Sequence, residues 1–297
     1  MPASPRRRAS SRSDARRSRR HCRLYRPYRP LSRERSMNLL VDGHSIAYSD
    51  DGQGTPLVLL HAFAADRTLW QPQIQALSPR WRVIAVDLRG FGASGRTNGA
   101  AVDVDRYADD VAALLRQAGI GQAVVGGISL GGYVSLALAQ RHPGLLRGLL
   151  LANTRAGADS DAARAARREL AEALRRQGSA AAAAFYGDKL FGPTMAEPAR
   201  QAIRAMLLRQ HPQAMISALL GMAQRPDRSG FLGRIDIPTL IVSGTADVLI
   251  PSTESQFMHE RIRGSVFVDI PQAGHLSNFD KPQAFNEAVQ AFMEKLA

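Results

Sequence analysis

Ser129 stands in Gly126-Gly127-Ile128-Ser129-Leu130-Gly131-Gly132, directly after the apolar run Ala123 to Val125 and at the opening of a helical pattern. A serine hydroxyl is a weak nucleophile at neutral pH. It becomes useful when a tight turn lifts it clear of the backbone and a base takes its proton. Glycines two residues before and two after keep side chains out of such a turn, and the helix start beneath it favours developing negative charge. The base and the acid that orients it are present. His275 follows the run Val266 to Ile270 through Pro271-Gln272-Ala273-Gly274, and Asp247 follows Leu240 to Val242 through Ser243-Gly244-Thr245-Ala246. Ser, Asp and His in that order suit acyl transfer through a covalent intermediate. Donors for the oxyanion are expected from the backbone N–H groups of Leu130 and of Phe63, in His61-Ala62-Phe63-Ala64 after Leu57 to Leu60.

The elements that must position these residues are legible as alternating patterns. Leu39 to Val41 and Ser45 to Tyr48 flank Asp42-Gly43, the chemistry of a hairpin. Leu57 to Leu60, Val83 to Val86, Ala123 to Val125, Leu149 to Leu151, Leu240 to Val242 and Val266 to Ile270 are short continuous apolar runs. Such runs suit strands covered on both faces, as in parallel sheets. Helical patterns lie between them at Asp66 to Leu77, Val104 to Gln117, Leu130 to Arg141, Ser252 to Ile262 and Pro282 to Lys295. Repeated strand–helix units predict an α/β fold with a doubly wound, mostly parallel sheet and helices on both faces. That topology delivers Ser129, Asp247 and His275 to one edge of the sheet.

The stretch 154–228 breaks the alternation, with helical pattern but no strand. Asp159 or Ser160 can cap a helix running to about Gln177, Pro198 suits the first position of another, and Gln213 to Gln224 makes a third. The expected domain organisation is a core over 37–153 and 229–297, interrupted by a helical lid at 154–228 that shapes a substrate pocket. Phe185, Tyr186, Phe191, Met195, Met206, Met215 and Met222 are candidates for its apolar lining or for the buried faces of its helices. Arg164, Arg167, Arg168 and Arg175 read as a solvated face, although one of the lid arginines, or Arg155 at its entrance, could hold a substrate carboxylate. His61 is expected to support the oxyanion loop, His142 to sit at a helix end, His44 and His259 at the surface, and His211 in the lid. No His-Glu-x-x-His spacing or phosphate loop occurs, so no metal and no cofactor are expected. Gly90-Phe91-Gly92-Ala93-Ser94-Gly95 matches a dinucleotide fingerprint by letter, but Asp87-Leu88-Arg89 separates it from the preceding strand and no helix opens on it.

Five landmarks in order carry a resemblance: His61-Ala62-Phe63, Asp87-Leu88-Arg89-Gly90-Phe91-Gly92-Ala93-Ser94, the turn at Ser129, Gly244-Thr245-Ala246-Asp247, and Gly274-His275. From Met37 to the C-terminus the chain resembles the α/β-hydrolase fold superfamily in its lidded serine-hydrolase branch. Gly126 to Gly132 and Leu150-Leu151-Ala152-Asn153-Thr154 look most like 3-oxoadipate enol-lactonases and small carboxylesterases. Ala62 departs from the glycine usual there. The resemblance implies a hydrolase of a carboxylic ester or lactone, with a small-molecule ester or lactone as its partner. A C–C bond hydrolase or perhydrolase with the same triad is the alternative, and a hydrolase-fold protein that binds a small ligand without turning it over is the alternative of another class.

Of the 297 residues, 39 are Lys or Arg and 26 Asp or Glu, a formal charge of +13. Residues 1–36 hold thirteen arginines against Asp14 and Glu34, so +11 falls there and +2 on the rest. This segment lacks the apolar residues to offset its ordering entropy and is expected to be disordered. It could be a nucleic-acid arm, the one route by which nucleic acid enters as a partner, or a transit peptide, or an over-extended reading frame ahead of Met37. A twin-arginine export signal is argued against, since no apolar stretch follows. The single Cys22 cannot form an internal disulfide, and no apolar run reaches the ~18–20 residues that span a bilayer. A cytoplasmic protein without a membrane partner is expected.

Overall fold

The computed structural model describes residues 36–296. The Arg-rich segment, with its expected disorder, its Cys22 and its candidate nucleic-acid contact, lies outside the described residues apart from Ser36. Among the described residues eight strands form one sheet: β1 (Met37–Val41), β2 (His44–Asp51), β3 (Pro56–Leu60), β4 (Arg82–Val86), β5 (Ala123–Ile128), β6 (Leu146–Ala152), β7 (Thr239–Gly244) and β8 (Val266–Ile270). Their spatial order is β1-β2-β4-β3-β5-β6-β7-β8, and β2 alone runs opposite in direction to the other seven. Val41 pairs with His44 across a two-residue turn in which Asp42 and Gly43 both have positive φ, as the hairpin chemistry predicts.

The helices are α1 (Gln71–Leu77), α2 (Val104–Gln117), α3 (Leu130–Arg141), α4 (Asp161–Gln177), α5 (Ala180–Tyr186), α6 (Glu197–Arg209), α7 (Pro212–Gln224), α8 (Ser252–Arg261), α9 (Ser277–Asp280) and α10 (Pro282–Glu294). α2 packs on α3 and α1 on α10, and β3, β5 and β7 are buried along almost their whole length. That burial on both faces explains their unbroken apolar runs. The helix expected from Asp66 to Leu77 is instead a 3₁₀ turn at Arg67–Trp70 followed by α1. Pro72 has no N–H to continue a helix begun upstream, and it sits without cost in the first turn of a new one. Pro198 likewise falls at the second rather than the first residue of its helix, α6.

Helices α4 to α7, called the cap below, lie between β6 and β7. Ser160 caps α4 by accepting a hydrogen bond from Ala163 N–H at 3.2 Å. No helix of the described residues is long and apolar enough to cross a membrane.

Candidate active site

Ser129 occupies the junction between β5 and α3 with φ 56° and ψ −114°, a conformation costly to any L-residue. The surrounding glycines explain how the turn closes. A Cβ on Gly127 would lie 2.3 Å from the Gly131 carbonyl carbon, one on Gly131 would lie 2.1 Å from Leu60 O, and one on Gly132 would meet Thr154 at 2.5 Å. Thr154 Oγ1 also donates to Ser129 O at 2.9 Å, pinning the turn from β6.

Strand β7 delivers Asp247 and β8 delivers His275, both buried. His275 Nδ1 meets Asp247 Oδ2 at 2.8 Å. A carboxylate can only accept, so Nδ1 carries the proton and Nε2 is left as the acceptor. Asp247 Oδ1 accepts from Leu249 N–H at 2.9 Å and Ile250 N–H at 3.0 Å. Burial works against its charge, but the His275 partnership, the Ile250 N–H and the Asn153 amide outweigh it and hold the carboxyl below the ordinary range.

Asn153, which sequence reasoning assigned no role, buttresses the Asp247 carboxylate. Its Nδ2 donates to Asp247 Oδ2 at 2.9 Å and its Oδ1 accepts from the Ser277 hydroxyl. Its backbone sits at φ 42°, which asparagine tolerates better than most residues.

Phe63 lies in a turn closed by Ala65 N–H donating to Ala62 O at 3.1 Å, with Ala64 at φ 59°. The buried His61 holds this loop. Leu88 N–H donates to its Nε2 at 3.1 Å, which puts the proton on Nδ1 to donate to Ala62 O at 2.8 Å. Burial pushes its pKa down, in keeping with a neutral ring. Leu130 opens α3, so its N–H has no acceptor within the helix.

Ser129, His275 and Phe63 line one cavity of about 220 Å³, walled by Leu190, Leu219, Leu249, Ile250 and the cap's Phe185, Tyr186 and Met222. Phe191, Met195, Met206 and Met215 are instead buried away from this lining. His211 caps α7, its Nδ1 accepting from Gln213 N–H at 3.3 Å. Arg167 is a correction to the expected solvated face: with Arg155 it lines the cavity, and it is bound to the buried Asp159. Asp159 precedes the cap residue Ser160 and is committed to arginines. Arg225 also binds it while lying 4.1 Å over the Tyr133 ring, and Arg155 Nη2 stands 3.7 Å away. Arg155 Nε is buried and finds no hydrogen-bond partner among the described residues. The convergence joins distant parts of the cap, since Arg167 lies on α4 and Arg225 directly follows α7.

Among the described residues no group of three or more His, Cys, Asp or Glu side chains could hold a metal ion.

The alpha/beta hydrolase fold family matches residues 55–282, and this chain belongs to that family. It is 31% identical over 256 residues to 3-oxoadipate enol-lactonase 2 of Acinetobacter baylyi, covering 84% of this chain and 94% of that protein. It is also 31% identical over 262 residues to a pimeloyl-[acyl-carrier protein] methyl ester esterase of Aeromonas hydrophila, covering 84% of this chain and 99% of the relative. Among solved structures, a malate-bound thermophilic esterase from Thermogutta terrifontis superposes with a TM-score of 0.85 at 36% identity, over 88% of this chain and 98% of the other.

Proposed function

We propose that this protein hydrolyses a carboxylic ester or lactone through an acyl-enzyme on Ser129, without a cofactor. The observation that carries the reading is the strained Ser129 sharing one cavity with a His275 whose Nδ1 is engaged by Asp247. Ser129 Oγ attacks the carbonyl carbon as His275 Nε2 takes its proton. The N–H groups of Phe63 and Leu130 receive the oxyanion, each such donor contributing about 3 kcal/mol. Collapse expels the alkoxide, which takes the proton back from His275, and leaves the acyl-enzyme. Water then attacks with His275 as base, and the carboxylic acid departs. Asp247 holds the imidazole in the required tautomer throughout. Helices α4 to α7 act as the lid that encloses the acyl group.

The names of the relatives support ester and lactone substrates. The arginines narrow the class further. Arg155, Arg167 and Arg225 share one buried carboxylate, with Glu254 3.9 Å from Arg155. An excess of cation in an otherwise apolar cavity favours a substrate bearing its own carboxylate.

Turnover of p-nitrophenyl esters by the full chain beside Ser129→Ala tests the mechanism. The expected loss in kcat is about 10⁴-fold or more; an active Ser129→Ala protein would sink the reading. Comparing p-nitrophenyl butyrate with the p-nitrophenyl half-ester of glutaric acid tests the substrate class. The half-ester is expected to be preferred, and Arg155→Gln to cut that preference ~10–100-fold, the worth of a hydrogen bond to a charged group. A neutral ester preferred by the parent protein would reject the carboxylate.

A further inference from the structure

Asp280 is the last residue of α9, and the chemistry above makes no use of it. Its Oδ2 accepts two backbone hydrogen bonds of 2.8 Å, one from Gly274 N–H and one from Gly192 N–H. Gly274 immediately precedes His275. Gly192 belongs to the cap, 88 residues from Asp280, between the 3₁₀ turn Gly187–Leu190 and α6. One carboxylate therefore bridges the loop that carries His275 and the segment that supplies a wall of the cavity.

The contact is close enough to exclude side chains. A Cβ on Gly192 would lie 2.2 Å from Asp280 Oδ2 and 2.3 Å from Gln272 O, and a Cβ on Gly274 would lie 2.3 Å from Gly192 N and 2.5 Å from the Phe191 carbonyl carbon. Two further bonds run alongside, from Leu276 N–H to Leu190 O at 3.4 Å and from Lys281 Nζ to Thr194 Oγ1. Leu190 and His275 face the same cavity. A cap wall fastened this way cannot withdraw from an acyl chain without pulling on the loop that holds the imidazole. Two backbone hydrogen bonds converging on one side-chain oxygen, with backbone packed against backbone around them, resist that withdrawal.

We propose that Asp280 is a positioning residue that sets the acyl-chain selectivity of the site, by fastening the Leu190–Thr194 cap segment to the His275 loop. The selectivity rests on the hydrolase reading above; the fastening does not.

The experiment measures kcat/KM for p-nitrophenyl acetate and p-nitrophenyl octanoate with the full chain and with Asp280→Ala, Gly192→Ala and Asp280→Asn. Backbone amide exchange is followed on the same proteins. Asparagine can place its carbonyl oxygen where Oδ2 stands, and Gly192→Ala wedges the contact apart from the cap side while leaving the carboxylate in place. Asp280→Ala and Gly192→Ala are expected to lower the acetate-to-octanoate ratio tenfold or more, as the wall yields to the longer chain. Both should speed exchange in residues 187–194 and 271–276 together, and Asp280→Asn should stay within threefold of the parent on the ratio. A lowered melting temperature with the ratio unchanged would make Asp280 a stabilising residue only and overturn the proposal. Faster exchange in one segment without the other would overturn it as well. If the parent turns over neither ester, the hydrolase reading fails first, and paired or unpaired exchange still decides the fastening.

Discussion

Asn153 shows how much a single side chain can govern without touching the reacting atoms. It donates to Asp247 on one side and accepts from Ser277 on the other, from a left-handed backbone that few residues adopt cheaply. Removing it strips one hydrogen bond from a buried carboxylate, a loss of about 1.5–3 kcal/mol. Asn153→Gly deletes the amide without adding backbone strain and is expected to lower kcat/KM roughly 10–100-fold on the same scale. Asn153→Ala should match it in activity yet be less stable by ~1 kcal/mol or more, because alanine must hold the positive φ. Steady-state kinetics and urea midpoints on the pair separate the two effects; equal stability would mean that the strain at this φ does not exceed glycine's own entropic cost. Ser129 itself bears strain at φ 56°. Ser129→Gly should therefore be more stable than Ser129→Ala, by about 1 kcal/mol once glycine's own entropic cost is subtracted.

At the scale of elements, the turn between β5 and α3 works because α3 lies hard against β3. Gly131 is the contact point, with no room for a Cβ beneath Leu60 O. Gly131→Ala must push backbone against backbone, and a loss of about 3 kcal/mol or more is expected, read as a lower urea midpoint at unchanged slope. A near-neutral result would show the helix free to slide. This part of the protein was legible from its residues alone, since glycine spacing and continuous apolar runs report local geometry and burial. The strands carrying Ser129, Asp247 and His275 were accordingly found within a few residues of their ends. Less was legible in the cap. Ala180–Tyr186 went unseen as a separate helix, because a run of alanines does not show where Gly178 and Gly187 interrupt it. Arg167 read as solvated because its partner Asp159 lies outside its own helix and Arg225 arrives from the end of α7. Asp280 and Asn153 were invisible for the same reason: each acts on groups far away in sequence.

For the whole molecule, acid stability follows from the buried carboxylates. Asp66, Asp159 and Asp247 each have burial raising the pKa, yet the partners prevail and hold it below the ordinary value: chiefly Arg209 for Asp66, Arg167 for Asp159 and His275 for Asp247. A carboxyl depressed in the folded state stabilises above its unfolded pKa of ~3.9, and that stability is lost as pH falls toward the folded value. Asp87 runs the other way, since burial raises it despite Arg67. Protonating it favours the folded state, so it works against the other three. The melting temperature is expected to fall steeply below about pH 4, and a flat profile from pH 6 to 3 would contradict the depressed carboxyls. The parallel strands have one more consequence. Ser129, Asp247 and His275 all follow the C-terminal ends of their strands, whereas Gly121 and Gly144 lie in the connections leading into β5 and β6, with open space around them. Once Cys22 is replaced, a cysteine at either glycine becomes a handle at the opposite edge of the sheet, so that protein tethered to a solid support through it holds the Ser129 edge toward the flowing solution.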